Sequence, residues 1–278
     1  MKRSQIVVGN YTYPYHSYDY FLDSMERLGI ENIELWGSDP HVYFGDQNFY
    51  EVSAIGKKIR SRGMNVRCVT PEQVMYPINI AHENRDARSR SVEFFRRHID
   101  IANILEAPKV LVTSGRCNLD GNWDECFKNA VDSLQELGYY ARKRGVCIAF
   151  EPLVRKGYDM VVYAKDLKEL LDAVDDYEGV KGMIDVDEAA RVDESPKDFV
   201  EQVGIENLNH VHFIDGMPGG HLALGDGVLP LERYLDELDA AGYESDIALE
   251  IMDGRYYFDP EPSIKKSLEF FENYMNTH

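Results

Sequence analysis

Four cysteines, Cys68, Cys117, Cys126 and Cys147, are spread along the chain, and no two form a Cys-x-x-Cys pair. That spacing implies neither a zinc site nor a disulfide framework and predicts reduced thiols. No apolar run approaches the roughly 20 residues of a membrane span. The opening MKRSQIVVGNYTYP holds too short an apolar segment for a signal peptide. Both absences predict a cytoplasmic chain with no membrane partner. Basic residues are scarce: 30 Lys and Arg stand against 49 Asp and Glu, a formal charge of −19. Such a chain repels phosphate backbones, so no nucleic-acid partner is expected. Low-complexity tracts, repeats and Pro/Gly/Ser linkers are missing too, which predicts one domain over 1–278.

What is present is a rhythm. Short apolar runs suited to buried strands recur eight times, at 5–10, 32–36, 65–70, 109–114, 146–151, 180–187, 208–215 and 246–252. Between them lie helical periods. Phe127, Ala130, Val131 and Leu134 follow i, i+3, i+4, i+7, as do Leu231, Tyr234, Leu235 and Leu238. Ser195-Pro196 and Asp259-Pro260 mark helix starts, and Gly29, Gly63, Gly145 and Gly242 mark helix ends. Eight strands alternating with helices predict an α/β fold, a single parallel (β/α)8 barrel. A doubly wound sheet would carry a glycine-rich phosphate loop after its first strand, where this chain reads GNYTYPYHSYDYF. The lone Gly225-Asp226-Gly227 reads as a tight turn.

Active sites of such barrels gather at the C-terminal strand ends. There strand five ends in Glu151, strand six carries Asp185, strand seven His212 and strand eight Glu250, each inside an apolar run. One buried carboxylate could be a salt bridge. Four strands in succession are harder to explain structurally, because unpaired buried charges are costly. One divalent metal ion at their convergence removes that cost. Three carboxylates and an imidazole suit Mn²⁺ best, with Mg²⁺, Co²⁺ or Zn²⁺ as alternatives, and no organic cofactor is needed. In LNHVHFID, His210 and His212 share a strand face; His210 is then core packing or a neighbour of the ligands.

The segments IELWGSDPH, TPEQVMYPIN, EPL, MIDVDEA, HVHFID and LGDGVLPL, with these four strand-end residues, resemble the sugar isomerase/epimerase superfamily with its xylose-isomerase-like TIM barrel. Within it the chain is most similar to the ketose 3-epimerases, especially the fructoselysine 3-epimerase branch. The resemblance implies that Glu151, Asp185, His212 and Glu250 hold the metal and that Glu151 and Glu250 double as an acid/base pair. They would invert the carbon next to the ketose carbonyl, C3, through an enediolate. It also implies a small-molecule sugar substrate and a homo-oligomer, dimer or tetramer. Glu188 stands where relatives often carry a substrate-touching histidine, Gly157 where many have a glutamate, and Pro218 where the tagatose and psicose enzymes commonly have an arginine. These departures point away from simple free hexuloses and toward a modified ketose such as a fructosamine.

An aldose–ketose isomerase or an inosose dehydratase would use the same metal site, and an apurinic-site endonuclease or a non-catalytic sugar-binding barrel the same fold. Further candidates for substrate contact are Glu34, Glu72, Glu188, His41, Arg255 and Trp36, the last in an aromatic wall with Tyr11, Tyr13, Tyr256 and Tyr257. A structural ion pair is the plain alternative for Glu34, a solvated loop for Arg255, and ordinary packing for the aromatics. His82 reads as surface, and Arg96-Arg97-His98 as the outer face of a helix.

Overall fold

The computed structural model describes residues 1–278 except 46, 75 and 155–159, so Met75 and Gly157 lie outside the described residues. Eight parallel strands close into a barrel in sequence order: β1 (Ile6–Gly9), β2 (Asn32–Gly37), β3 (Asn65–Pro71), β4 (Lys109–Thr113), β5 (Cys147–Glu151), β6 (Val180–Asp185), β7 (Leu208–His212) and β8 (Asp246–Leu249). The ring is sealed by β1 pairing with β8, Val7 opposite Ala248. Strands β1 and β8 are buried throughout, one side facing the barrel interior and the other the helices, which is why they read as continuous apolar runs.

The helices are α1 (Tyr18–Leu28), α2 (Phe49–Ser61), α3 (Arg85–Leu105), α4 (Trp123–Arg142), α5 (Ala164–Val174), α6 (Val186–Ala190), α7 (Pro196–Val203), α8 (Leu231–Ala240) and α9 (Glu261–Thr277). Side chains of Ser17, Asn48, Asn84 and Asn122 accept backbone N–H bonds at the starts of α1 to α4, as capping chemistry demands. Gly29, Gly63, Gly145 and Gly242 all have positive φ just beyond helix ends. The expected core positions of α8 are all buried. On α4 the buried line runs through Cys126, Ala130, Leu134 and Leu137, leaving Phe127 and Val131 half-buried. No helix among the described residues is long and apolar enough to cross a membrane.

Three strands stop two or three residues before the ends of their apolar runs. Asp185, opposite His212 at the end of the ladder, also caps α6, its Oδ1 accepting from the N–H groups of Asp187 (2.8 Å) and Glu188 (2.9 Å), so the run through 187 divides into strand and helix. Strand β7 ends at His212 and β8 at Leu249, because the chain turns away toward the open end of the barrel. The Gly-Asp-Gly loop wraps an anion belonging to the chain itself: Asp215 accepts from Gly225, Gly227 and Leu229 N–H at 2.9–3.1 Å. One reading of the sequence is corrected, and the cysteines are all free thiols, as expected. His98 faces inward, buried against Phe44 and Phe94, with its Nδ1 2.8 Å from the Phe94 carbonyl oxygen. Cys117 and Cys126, nine positions apart, come together, their sulfurs and a Glu83 oxygen within 4.8 Å of one another.

Candidate metal centre and pocket

Because strands β5 to β8 end at the same height, Glu151, Asp185, His212 and Glu250 converge, one donor atom from each lying within 4.8 Å of the others. His212 is fully buried, and its Nδ1 lies 3.0 Å from Glu250 Oε2, 3.3 Å from Glu151 Oε1 and 3.9 Å from Asp185 Oδ2. Yet among the described residues this nitrogen has no hydrogen-bond partner. Its opposite nitrogen, Nε2, donates to Glu34 Oε1 at 3.1 Å. An ionised carboxylate accepts only, so Nε2 carries a proton whether the ring is charged or neutral, and in the neutral ring Nδ1 turns its lone pair toward three carboxylates.

That arrangement calls for a cation. Three hard oxygen donors and one imidazole fit a divalent ion, and a buried imidazole nitrogen among carboxylates is a donor set that such an ion would satisfy. Protons collect there instead. Burial, with the Glu250 and Glu188 charges, pushes Glu151 up to about 7. Burial also lifts Asp185 well above the usual carboxylate range. Burial opposes a charge on His212, but the carboxylates of Glu250 and Glu34 overcome it and raise the imidazole well above its ordinary value. Glu250, against its own burial, is held down to about 2 by His212 and His221.

Above the four residues opens a pocket of about 330 Å³, into which Glu151, Asp185 and Glu250 face. Of the other candidates, Trp36, Glu72 and Glu188 line it, as does Tyr11, stacked on Trp36 at 5.5 Å. Trp36 Nε1 donates to Glu72 at 3.0 Å; Glu188 accepts from the Val154 N–H at 2.6 Å and pairs with Arg191. Glu34 is placed elsewhere: wholly buried below the pocket, it faces His210 and His212. His41 is wedged between Asn10 and the His16 carbonyl, away from the lining. Arg255 is exposed and paired with Asp253, Tyr13 is buried against Phe21, and Tyr256 bonds Asp226.

Sequence reading passed over His221, Arg191 and Gln73, all of which line the pocket. His221 Nε2 lies 3.3 Å from Glu250 Oε2. Burial disfavours its charge, but Glu250 and Asp185 raise it to about 10. It sits nine residues past β7 with φ +47, a left-handed conformation uncommon outside glycine, and its carbonyl accepts from the Met252 N–H at 3.0 Å. The only local signal is the preceding Gly219-Gly220, which frees the backbone for that turn.

Known proteins fit this geometry. The profile of the xylose isomerase-like TIM barrel family matches residues 22–274. A fructoselysine 3-epimerase of Shigella flexneri is 25% identical over 253 residues, 90% of each chain. Among solved structures, a D-tagatose 3-epimerase-like protein superposes with TM-score 0.80 at 20% identity, covering 98% of this chain and 97% of that one. The IOLI protein with a binding zinc atom superposes equally well, TM-score 0.80 at 16% identity, covering 98% of each. At these identities the two structures speak for the fold alone. The family profile spans nearly the whole barrel, and the chain belongs to the xylose isomerase-like TIM barrel family.

Proposed function

We propose that this chain is a divalent-metal-dependent sugar isomerase, specifically an epimerase that inverts C3 of a ketose, with a modified ketose such as a fructosamine as its substrate class. The observation that carries the reading is the unbonded Nδ1 of His212 set among three carboxylates at the base of an open pocket. The similarity to a fructoselysine 3-epimerase over 90% of the chain supports the substrate class.

Glu151, Asp185, His212 and Glu250 would hold the cation, with Mn²⁺ the best fit to the donor set. When bound, it supplies polarisation of the ketose carbonyl and acidifies the neighbouring C–H. The protein's own residues do the rest. Glu250, held ionised, is suited to take the C3 proton, and Glu151, with a value near neutrality, to return one to the opposite face. Tyr11 and Trp36 offer a flat apolar wall to the sugar's C–H face. Glu72 and the Glu188–Arg191 pair supply the polar contacts through which a substituent on the ketose is chosen.

Mn²⁺-loaded protein incubated in D₂O with free ketoses and with fructosamines tests this by NMR. The expected result is deuterium at C3 together with the C3 epimer, both lost in Glu250→Gln. Exchange at C1 with aldose formation would convert the reading to an aldose–ketose isomerase, and loss of water to a dehydratase. A Mn²⁺-binding protein that exchanges no proton of any sugar would sink the epimerase reading.

A further inference from the structure

We propose that Lys109, His210 and Glu34 are positioning residues, a one-directional chain of hydrogen bonds from the N-terminal end of the barrel that locks His212 in the tautomer able to hold a cation. This rests on the metal-binding reading above and explains why the strand carries two histidines.

Lys109 begins β4 and Asp246 begins β8, so both sit at the end of the barrel opposite the pocket, nearly completely buried. The Lys109 ammonium is paired with the Asp246 carboxylate and donates to the Asn209 carbonyl at 2.8 Å. Its third contact is His210 Nδ1, 3.3 Å away. An ammonium has nothing to accept with, so Nδ1 of His210 must present its lone pair and the ring proton goes to Nε2. Nε2 in turn lies 2.9 Å from Glu34 Oε2.

Glu34 comes from β2, across the barrel from β7, and collects four donors: His210, His212, the Tyr11 hydroxyl at 2.7 Å and the Thr70 hydroxyl. Its charge is therefore fully engaged, and burial in the absence of these partners would not tolerate it. The period of two in a strand puts both rings on one face, with centroids 5.3 Å apart, so one carboxylate can accept from both. Each link runs one way, from ammonium to imidazole to carboxylate, and the second imidazole donates to that same carboxylate. The outcome is a proton on Nε2 of His212 and a free Nδ1 facing the pocket.

The relay adds no net charge. Lys109 and Arg67, whose Nε is 3.0 Å from Asp246 Oδ1, balance Asp246 and Glu34, while the histidines stay neutral once a cation is bound. It orients the ligand without altering the charge the centre presents to a metal. Partners of this kind typically contribute about 10–100-fold to metal affinity.

Protein labelled with ¹⁵N-histidine tests the relay by long-range ¹H–¹⁵N NMR, with His210 read in metal-free protein and His212 in protein loaded with diamagnetic Zn²⁺. Both rings should carry hydrogen on Nε2. In Lys109→Met, His210 should lose that fixed tautomer, and Mn²⁺ affinity, measured by chelator competition, should fall roughly 10-fold. Glu34→Gln keeps the shape but introduces an NH₂ donor, so one ring must present a lone pair to it; affinity should fall nearer 100-fold. It serves as the second variant if Lys109→Met folds poorly. Hydrogen on Nδ1 of His210 in the parent protein would overturn the relay, as would folded variants with unchanged tautomers and unchanged affinity. Parent protein that binds neither Zn²⁺ nor Mn²⁺ would instead overturn the metal reading, while the His210 tautomer still decides the relay.

Discussion

At the N-terminal end of the barrel, Asp246 is met by Lys109 and Arg67, and its neighbours Tyr243 and Gln5 close the remaining backbone bonds. At the C-terminal end, Glu151, Asp185 and Glu250 meet one another and a histidine nitrogen with no hydrogen bond. Both ends bury carboxylates in the same apolar tube. One end meets its carboxylate with two cationic side chains; at the other, Asp185 has two backbone N–H donors and Glu250 has His221, but among the described residues no Lys or Arg reaches the three. Satisfied charge is structure; charge left needing a cation is the signature of a site whose partner comes from outside.

The comparison breaks most easily through opposite responses to neutralising a carboxylate. At the pocket end, Asp185→Asn should lower the rate of C3 exchange by roughly 10²–10⁴, the scale of an acid/base or ligand group. Asparagine still caps α6, so the metal-free variant should match or exceed the parent in urea denaturation. A clear loss of stability there would mean that Asp185 is structural. At the other end, Asp246→Ala strands a buried ammonium and should cost about 3–5 kcal/mol of unfolding free energy. A neutral result would erase the contrast.

A third buried histidine sharpens it. His98 lies on α3 among aromatic rings, with no carboxylate beside it among the described residues, and burial pulls it down from 6.5 to about 4. The unfolded chain therefore takes up this proton first, and stability should fall as pH drops from about 6.5 to about 4, by about 3 kcal/mol in total. In His98→Gln that part of the slope should vanish from urea titrations at stepped pH. His212, equally buried, is shifted the other way by its carboxylates. The difference between the two rings is their company, not their depth.

The strand ends were legible because strands of a closed parallel barrel have both faces covered, so a charged residue inside an apolar run stands out against it. Glu151, Asp185, His212 and Glu250 could be picked out in this way. Glu34 was visible too, but its direction was not: a strand pattern gives the face a side chain takes, not which residue waits across the barrel. His98 was misread for a related reason, since a histidine beside two arginines looks solvated until the loop carrying Phe44 folds over it. His221 and Arg191 left no periodic trace, because loop positions obey no repeat.

The sequence by itself determined the alternation of strands and helices, the family and the four converging strand ends, since hydrophobic period and strand order are local properties that a closed barrel merely assembles. Only the tertiary structure decided which nitrogen of His212 faces the pocket, that Glu34 serves the ligand from behind, and that His221 joins Glu250. Those facts depend on donors and acceptors brought together from strands as much as 178 positions apart in the chain, and hydrogen-bond direction exists only once both partners are in place.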